Sequence, residues 1–354
     1  MSTGTDIPVV RGIGIHSRFG GAASASAAFR CGMSRISELP EWPYFDQTEN
    51  EEHALTGSRA AGVGPGFQGT ARLLKLGIEA IEDLKNTVDL AALDPSRLGV
   101  ILVLAPQTED EEPPPPELLD RLCSLSGLNV HKGNLHTTFG GRVGVVEAIR
   151  KAHLLLLEGK VDQVLLGSID SLVTENVIRR LLDQQKIKTA DNPVGFIPGE
   201  AACFVLIELL DRRSRSGDDK RQFSFQSMVV SEPSDLAPPQ LGCALAEVAV
   251  NALRAACNEP IRKGTILADL NGTPSRAAVF GGAIVYMSQA LGLDGWGQGF
   301  PATTFGETGA ASSLLAICLA IRAFLRGYAN SDRALILISC ETGGHAALVI
   351  GTVD

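Results

Sequence analysis

A chain of 354 residues with 45% apolar content is long enough for one large or two intimately packed α/β domains around a sizeable core. Aromatic residues make up only 5% of it, so that core is aliphatic. A net charge of −9 without long charged blocks argues against a nucleic-acid or anionic-membrane surface, because binding phosphates needs clustered Lys and Arg.

The N-terminus has no basic region followed by a long apolar run, and no segment holds about 18 uninterrupted apolar residues, so the expectation is a soluble cytoplasmic protein. Ile7 to Ile13 reads as a first strand, and Gly20-Gly21 leads into an Ala-rich helix ending at Arg30. Residues 37 to 66 mix Pro, Gly and acids and read as irregular. Gln68 to Val88 carries the helical period, and Leu98 to Leu104 is a continuous apolar run, as suits a strand buried on both faces. Thr108 to Pro116 holds four acids and four prolines and reads as an exposed extended loop.

The segment His136 to Asp170 follows as turn, helix and strand, with Val143, Val146, Ile149 and Leu154 as the helix's apolar positions. Val173 to Gln185 reads as helix and Ala201 to Glu208 as strand. The Arg212, Arg213, Arg215, Lys220 and Arg221 cluster, broken by Ser, Gly and Asp, reads as a solvated boundary between halves at 1–211 and 222–354. The second half then reads as strand (Phe223 to Val230), helix (Leu241 to Cys257), strand (Thr265 to Leu270) and helix (Ser275 to Leu291). Thr303-Thr304-Phe305-Gly306 repeats Thr137-Thr138-Phe139-Gly140, each copy opening an apolar helix followed by a strand, the second at Ala334 to Ile338. That repeat predicts a duplicated fold with mainly parallel sheets. Seven scattered cysteines without a CxxC pair read as reduced thiols, with no disulfide, metal site or cofactor implied.

Gly195-Phe196-Ile197-Pro198-Gly199-Glu200-Ala201-Ala202, followed by an apolar strand, resembles the GF-x-PGE-x-A signature of β-ketoacyl synthases, condensing enzymes of the thiolase fold. Other pieces agree in order: the EAIRKAHLLLLEGKVDQVLLGSIDS segment, Asn271-Gly272-Thr273-Pro274, Gly309-Ala310-Ala311, and Gly343-Gly344 before the last strand. The resemblance implies a five-layered αβαβα fold built from two pseudo-duplicated halves, commonly dimeric.

The resemblance also locates positions where a ketosynthase would carry a nucleophilic cysteine at the start of the central helix and two histidines. Matched through Glu147-Ala148, the cysteine position falls on Thr138; the histidine positions fall on Asn271 and on Gly306, or on Glu307 with a shifted gap. The lysine expected just before the second histidine is replaced by Pro301 and Ala302, and the glycine loop reads Glu341-Thr342-Gly343-Gly344. Thr138 alternatively reads as an N-cap, Thr304 with Glu307 as a capping box, and Thr273-Pro274 as a cap with proline at the first helical position. His136 or His345 is the available base for a threonine nucleophile, and Cys340 is either a displaced nucleophile or a packed thiol.

Two functional readings remain. In one, the chain is a catalytically degenerate ketosynthase-like scaffold or accessory protein, a homodimer or heterodimer partner for a ketosynthase, an acyl carrier protein or a secretion-type assembly. In the other, it is an acyl-transfer enzyme with a site rearranged around Thr138, His136, Glu307 or Cys340. The pocket of either reading draws on His136, Thr138, Asn271, Glu307, Thr342, Gly343, Gly344 and His345.

Overall fold

The computed structural model describes residues 6–46, 49–107, 113–210, 222–233, 236–257, 263–340 and 344–353. The first half contains β1 (Pro8–His16), α1 (Ala22–Arg30), β2 (Ser37–Asp46), β3 (Glu51–Gly57), α2 (Gly69–Lys85), β4 (Leu98–Val103), α3 (Leu118–Leu125), β5 (Leu135–Thr138), α4 (Gly141–Leu157), β6 (Gln163–Ser171), α5 (Glu175–Asp183) and β7 (Glu200–Leu209). The second contains β8 (Phe223–Val230), α6 (Pro238–Ala256), β9 (Thr265–Ala268), α7 (Pro274–Leu291), β10 (Gly297–Gly299), α8 (Ala302–Phe305), α9 (Ala311–Leu325), β11 (Arg333–Ser339) and β12 (His345–Thr352).

Duplication is written in the strand order. The sheet runs β10-β9-β11-β12-β8-β1-β7-β6-β4-β5, so β8-β12-β11-β9-β10 mirrors β1-β7-β6-β4-β5 about the short β1/β8 contact. Three of the hydrophobic clusters fill the spaces between five layers. Helices α2 and α3 cover the outer face of the first half, and α6 and α7 cover that of the second. Between the sheets lie α4, α9 and α1. Helix α9 is apolar around nearly its whole circumference, as a helix between two sheets must be. Each Leu or Ile buried there contributes about 1.5–3 kcal/mol, so a charge at Ile317, which is fully buried, would break this layer.

Several expectations need correction. The sheets are mixed: β4 pairs parallel with β5 and β6, and β9 with β10 and β11, but β7 and β12 run antiparallel to both their neighbours. Strands β2 (Ser37–Asp46) and β3 (Glu51–Gly57) pair as an antiparallel ribbon, whose alternation Pro40, Pro43 and a register shift between Leu39 and Pro43 disguise. Leu39, Trp42 and Leu55 anchor it on Ile178 and Leu181 of α5.

The repeated tetrapeptide is not structurally equivalent in its two copies. Thr137-Thr138 ends strand β5, whereas Thr303 and Thr304 lie in the one-turn helix α8, and the central helix α9 starts only at Ala311. Leu154, counted as a core position, is 58% exposed; Val145, Val146, Ile149, Ala152 and Leu156 make the buried side of α4. The segments 108–112 and 211–221, including the proposed boundary, lie outside the described residues. Among the described residues, no helix is long and apolar enough to cross a membrane.

Candidate functional site

The central helix α4 begins differently from the sequence expectation. Its N-cap is Gly140, and Thr138 is the last residue of β5, so the cap assigned to Thr138 is corrected. Gly141 has φ +57°, and a Cβ there would stand 2.9 Å from Pro106 Cδ, so only glycine fits. Arg142 is therefore the first side chain of the helix. A cation in the first turn opposes the helix dipole and needs an anion close by.

Glu307 supplies it. Arg142 Nη2 lies 2.7 Å from Glu307 Oε1, with side-chain exposures of 11% and 3%. Asn271 Nδ2 donates to Glu307 Oε2 at 2.7 Å, and the Gly309 N–H donates to Oε1 at 2.9 Å. Burial alone would raise the Glu307 carboxyl, but the charges of Arg142 and Arg276 and the bonds from Arg142 and Asn271 hold it below its ordinary range. Asn271 is fixed in turn, its Oδ1 accepting from the Thr273 N–H and hydroxyl. Thr273 does stand at the N-cap of α7 with proline following, yet its hydroxyl bonds to Asn271 and not to the helix.

The capping box assigned to Thr304 and Glu307 is also corrected. Thr304 sits inside α8, and Glu307 lies in the loop between α8 and α9, where Glu307 is an ion-pair partner. This loop is stitched to the first half by backbone bonds: Gly199 N–H to Glu307 O and Glu307 N–H to Ile197 O, both 2.8 Å. Close approach explains Gly199 of the PGE segment, because a Cβ there would stand 2.2 Å from Phe305 O. Gly306, with φ +71°, cannot readily accept the histidine that the resemblance places there.

Asn271, Gly306 and Glu307 form the floor of an open cleft of about 260 Å³. Its walls include Ile197, Leu270 and Phe300, and Lys188 stands on its rim. Behind Glu307, a space of about 10 Å³ next to Ser312 and Ser313 has room for about one water.

The remaining described sequence candidates stand on other elements. His136 and Thr138 share a face of β5, but among the described residues no hydrogen bond joins them. Burial lowers the pKa of His136, and the charges of Lys151 and Lys160 lower it further. His345 opens β12 with neither ring nitrogen hydrogen-bonded among the described residues, and burial lowers its pKa. Cys340 is half-buried just after β11, where its N–H donates to Gly344 O at 2.7 Å. Thr342 and Gly343 lie outside the described residues.

No protein-family model and no curated protein matches the chain. Solved structures do. The ishigamide ketosynthase/chain length factor is similar over 98% of this chain and 100% of its own, at 18% identity and a TM-score of 0.68. An oxazolomycin ketosynthase domain of Streptomyces albus covers 99% of this chain with 74% of its own, at 15% identity and TM-score 0.75. A type II polyketide ketosynthase, solved with its acyl-carrier protein, covers 98% and 99% at 15% identity and TM-score 0.74. Together with the mirrored strand order and the five layers, these likenesses establish that the chain has the thiolase-like fold of the β-ketoacyl synthases.

Proposed function

We propose that the chain is a ketosynthase-like protein that does not condense acyl groups and serves as a scaffold or partner subunit. The observation that carries this reading is the Arg142–Glu307–Asn271 cluster on the cleft floor. An ion pair whose carboxylate is held by Arg142, Asn271 and the Gly309 N–H offers neither a polarisable thiolate nor a neutral base to a thioester. In the alternative site, Glu307 is already engaged by Arg142 and Asn271, and among the described residues no hydrogen bond joins Thr138 to His136.

A protein partner fits the surface. Strand β5 is an edge of the sheet and carries neither proline nor charge to block pairing. Leu125, Leu154 and Leu157 are exposed on α3 and α4. The similar structures include a ketosynthase paired with a chain length factor and a ketosynthase bound to a carrier protein. For this chain, the corresponding partner is a ketosynthase, an acyl carrier protein or a component of a secretion-type assembly, in a homodimer or heterodimer.

The test is malonyl-thioester decarboxylation by the purified protein. The rate expected is that of the protein-free blank; a rate above it that disappears in His136→Ala or Glu307→Gln would overturn the reading.

A further inference from the structure

The charges behind the cleft do not balance. Arg142 is bonded to Glu307, and Arg276 to Asp269 and to the Ser339 carbonyl. A third carboxylate, Asp170 on β6, is 9% exposed and has no ion pair among the described residues. Among those residues it accepts N–H groups alone, from Ala310 to Oδ2 at 2.7 Å and from Ser171 to Oδ1 at 2.8 Å. Burying a lone carboxylate is costly unless it is neutralised.

Both unequal carboxylates hold the same short loop. Gly309 N–H is bonded to Glu307, and the next N–H, that of Ala310, to Asp170. Ser168 Oγ also donates to Ala310 O at 3.0 Å. The fit is tight, since a Cβ on Gly309 would stand 2.0 Å from Asp170 Oδ2. Glu307 and Asp170 thus grip one turn of the second half while repelling each other.

We propose that the loop of residues 306–310 is a proton-sensitive strap between the two halves, with Asp170 the group that takes the proton. Protonation removes the cost of keeping a charge buried under the strap and, as a smaller effect, the repulsion from Glu307, while Oδ2 remains an acceptor for Ala310, so the strap tightens. Deprotonation restores that cost, which opening of the strap to water relieves, and the strap loosens at the cleft floor. The groups facing Asp170 are Arg142 from α4 and Glu307 from the strap itself. On the neighbouring β7, Glu200 is already neutralised by Arg72, and reaches β6 through the Ser171 hydroxyl. His345 on β12 faces Asp269 and Arg276. The direction of titration agrees: burial, the largest influence, raises the Asp170 carboxyl to about 6 against the pull of the two N–H groups and Arg142, with Glu307 adding to the rise.

The strap depends on this charge balance, not on whether the cleft performs acyl chemistry, so it goes beyond the scaffold reading. Its test is hydrogen exchange across residues 305–313 of the full-length protein, corrected for intrinsic rates, at about pH 7.5 and about pH 5.5. Wild type is expected to show several-fold stronger protection at the lower pH, and Asp170→Asn no such pH dependence. The carboxyl ¹³C titration of Asp170 in unaltered protein is a second readout that needs no variant, with a midpoint expected near 6. Equal pH dependence in wild type and variant, or a midpoint at the ordinary aspartate value, would overturn the proposal.

Discussion

Two arginine–glutamate pairs buried among the described residues, Arg72–Glu200 and Arg142–Glu307, are built for different ends. Arg72 and Glu200 are both fully buried; Nε and Nη2 meet the two carboxylate oxygens at 2.6 and 2.7 Å. The Ala60 N–H and the Ser171 hydroxyl also donate to the carboxylate. All of its partners belong to the first half. Arg142 and Glu307 instead join the halves at the floor of an open cleft, beside a second carboxylate that has no ion pair among the described residues. The closed pair locks one half internally, whereas the open pair ties the two halves together where solvent can reach them.

The comparison can be broken from either side. Arg72→Met leaves Glu200 charged in a dry interior and is expected to cost about 3–5 kcal/mol in urea unfolding. Gly309→Ala forces a side chain into the Asp170 contact at φ +56° and should cost about 2–3 kcal/mol by the same measurement. Arg142→Met is expected to cost less than Arg72→Met, about 2 kcal/mol, because water entering the cleft and the remaining Asn271 and Gly309 donors still solvate Glu307. A loss equal to that of Arg72→Met would mean that the two pairs are equivalent.

Acid sharpens the contrast. The folded pKa of Glu307 is held below its unfolded value, so its stabilisation is present above that unfolded value, about 4.5, and is lost as pH falls through the folded pKa. Glu307→Gln should therefore cost about 1 kcal/mol at neutral pH and flatten the acid limb of a stability profile. Asp170 has the opposite sign. Its raised pKa makes the charged form a burden above about 6, relieved as pH falls. At the small end, Leu154→Lys on the exposed face of α4 should change stability by less than about 0.5 kcal/mol. A loss of dimerisation in that variant, seen by light scattering, would place the partner face on α4.

Much of the fold is legible in the sequence because its apolar runs are long and its glycines stand where chains cross. Leu98 to Val103 is buried on both faces, and Gly199 sits where its neighbour's carbonyl leaves no room for a Cβ. The β2/β3 ribbon is hidden because proline and acids interrupt the period of two that would announce it. At the site, Asn271 and Glu307 are found by the order of motifs, and the structure hydrogen-bonds them to each other.

Arg142 is not legible from the motifs because matching through Glu147-Ala148 points to Thr138, on the strand before the helix. A physical signal was present nonetheless. An arginine opening an otherwise apolar central helix works against the dipole and asks for a carboxylate from elsewhere in the chain. The burdened carboxylate Asp170 has no such signal, since only folding sets it beside the strap.

The central claim is that the cleft floor holds an ion pair in place of reacting groups. Intact-mass spectrometry after incubation with acyl- and malonyl-pantetheine thioesters tests it most directly. An unchanged mass is the predicted result. A single acyl adduct that maps to Thr138, Cys340 or the start of α4 would contradict it and identify a working acyl-transfer site.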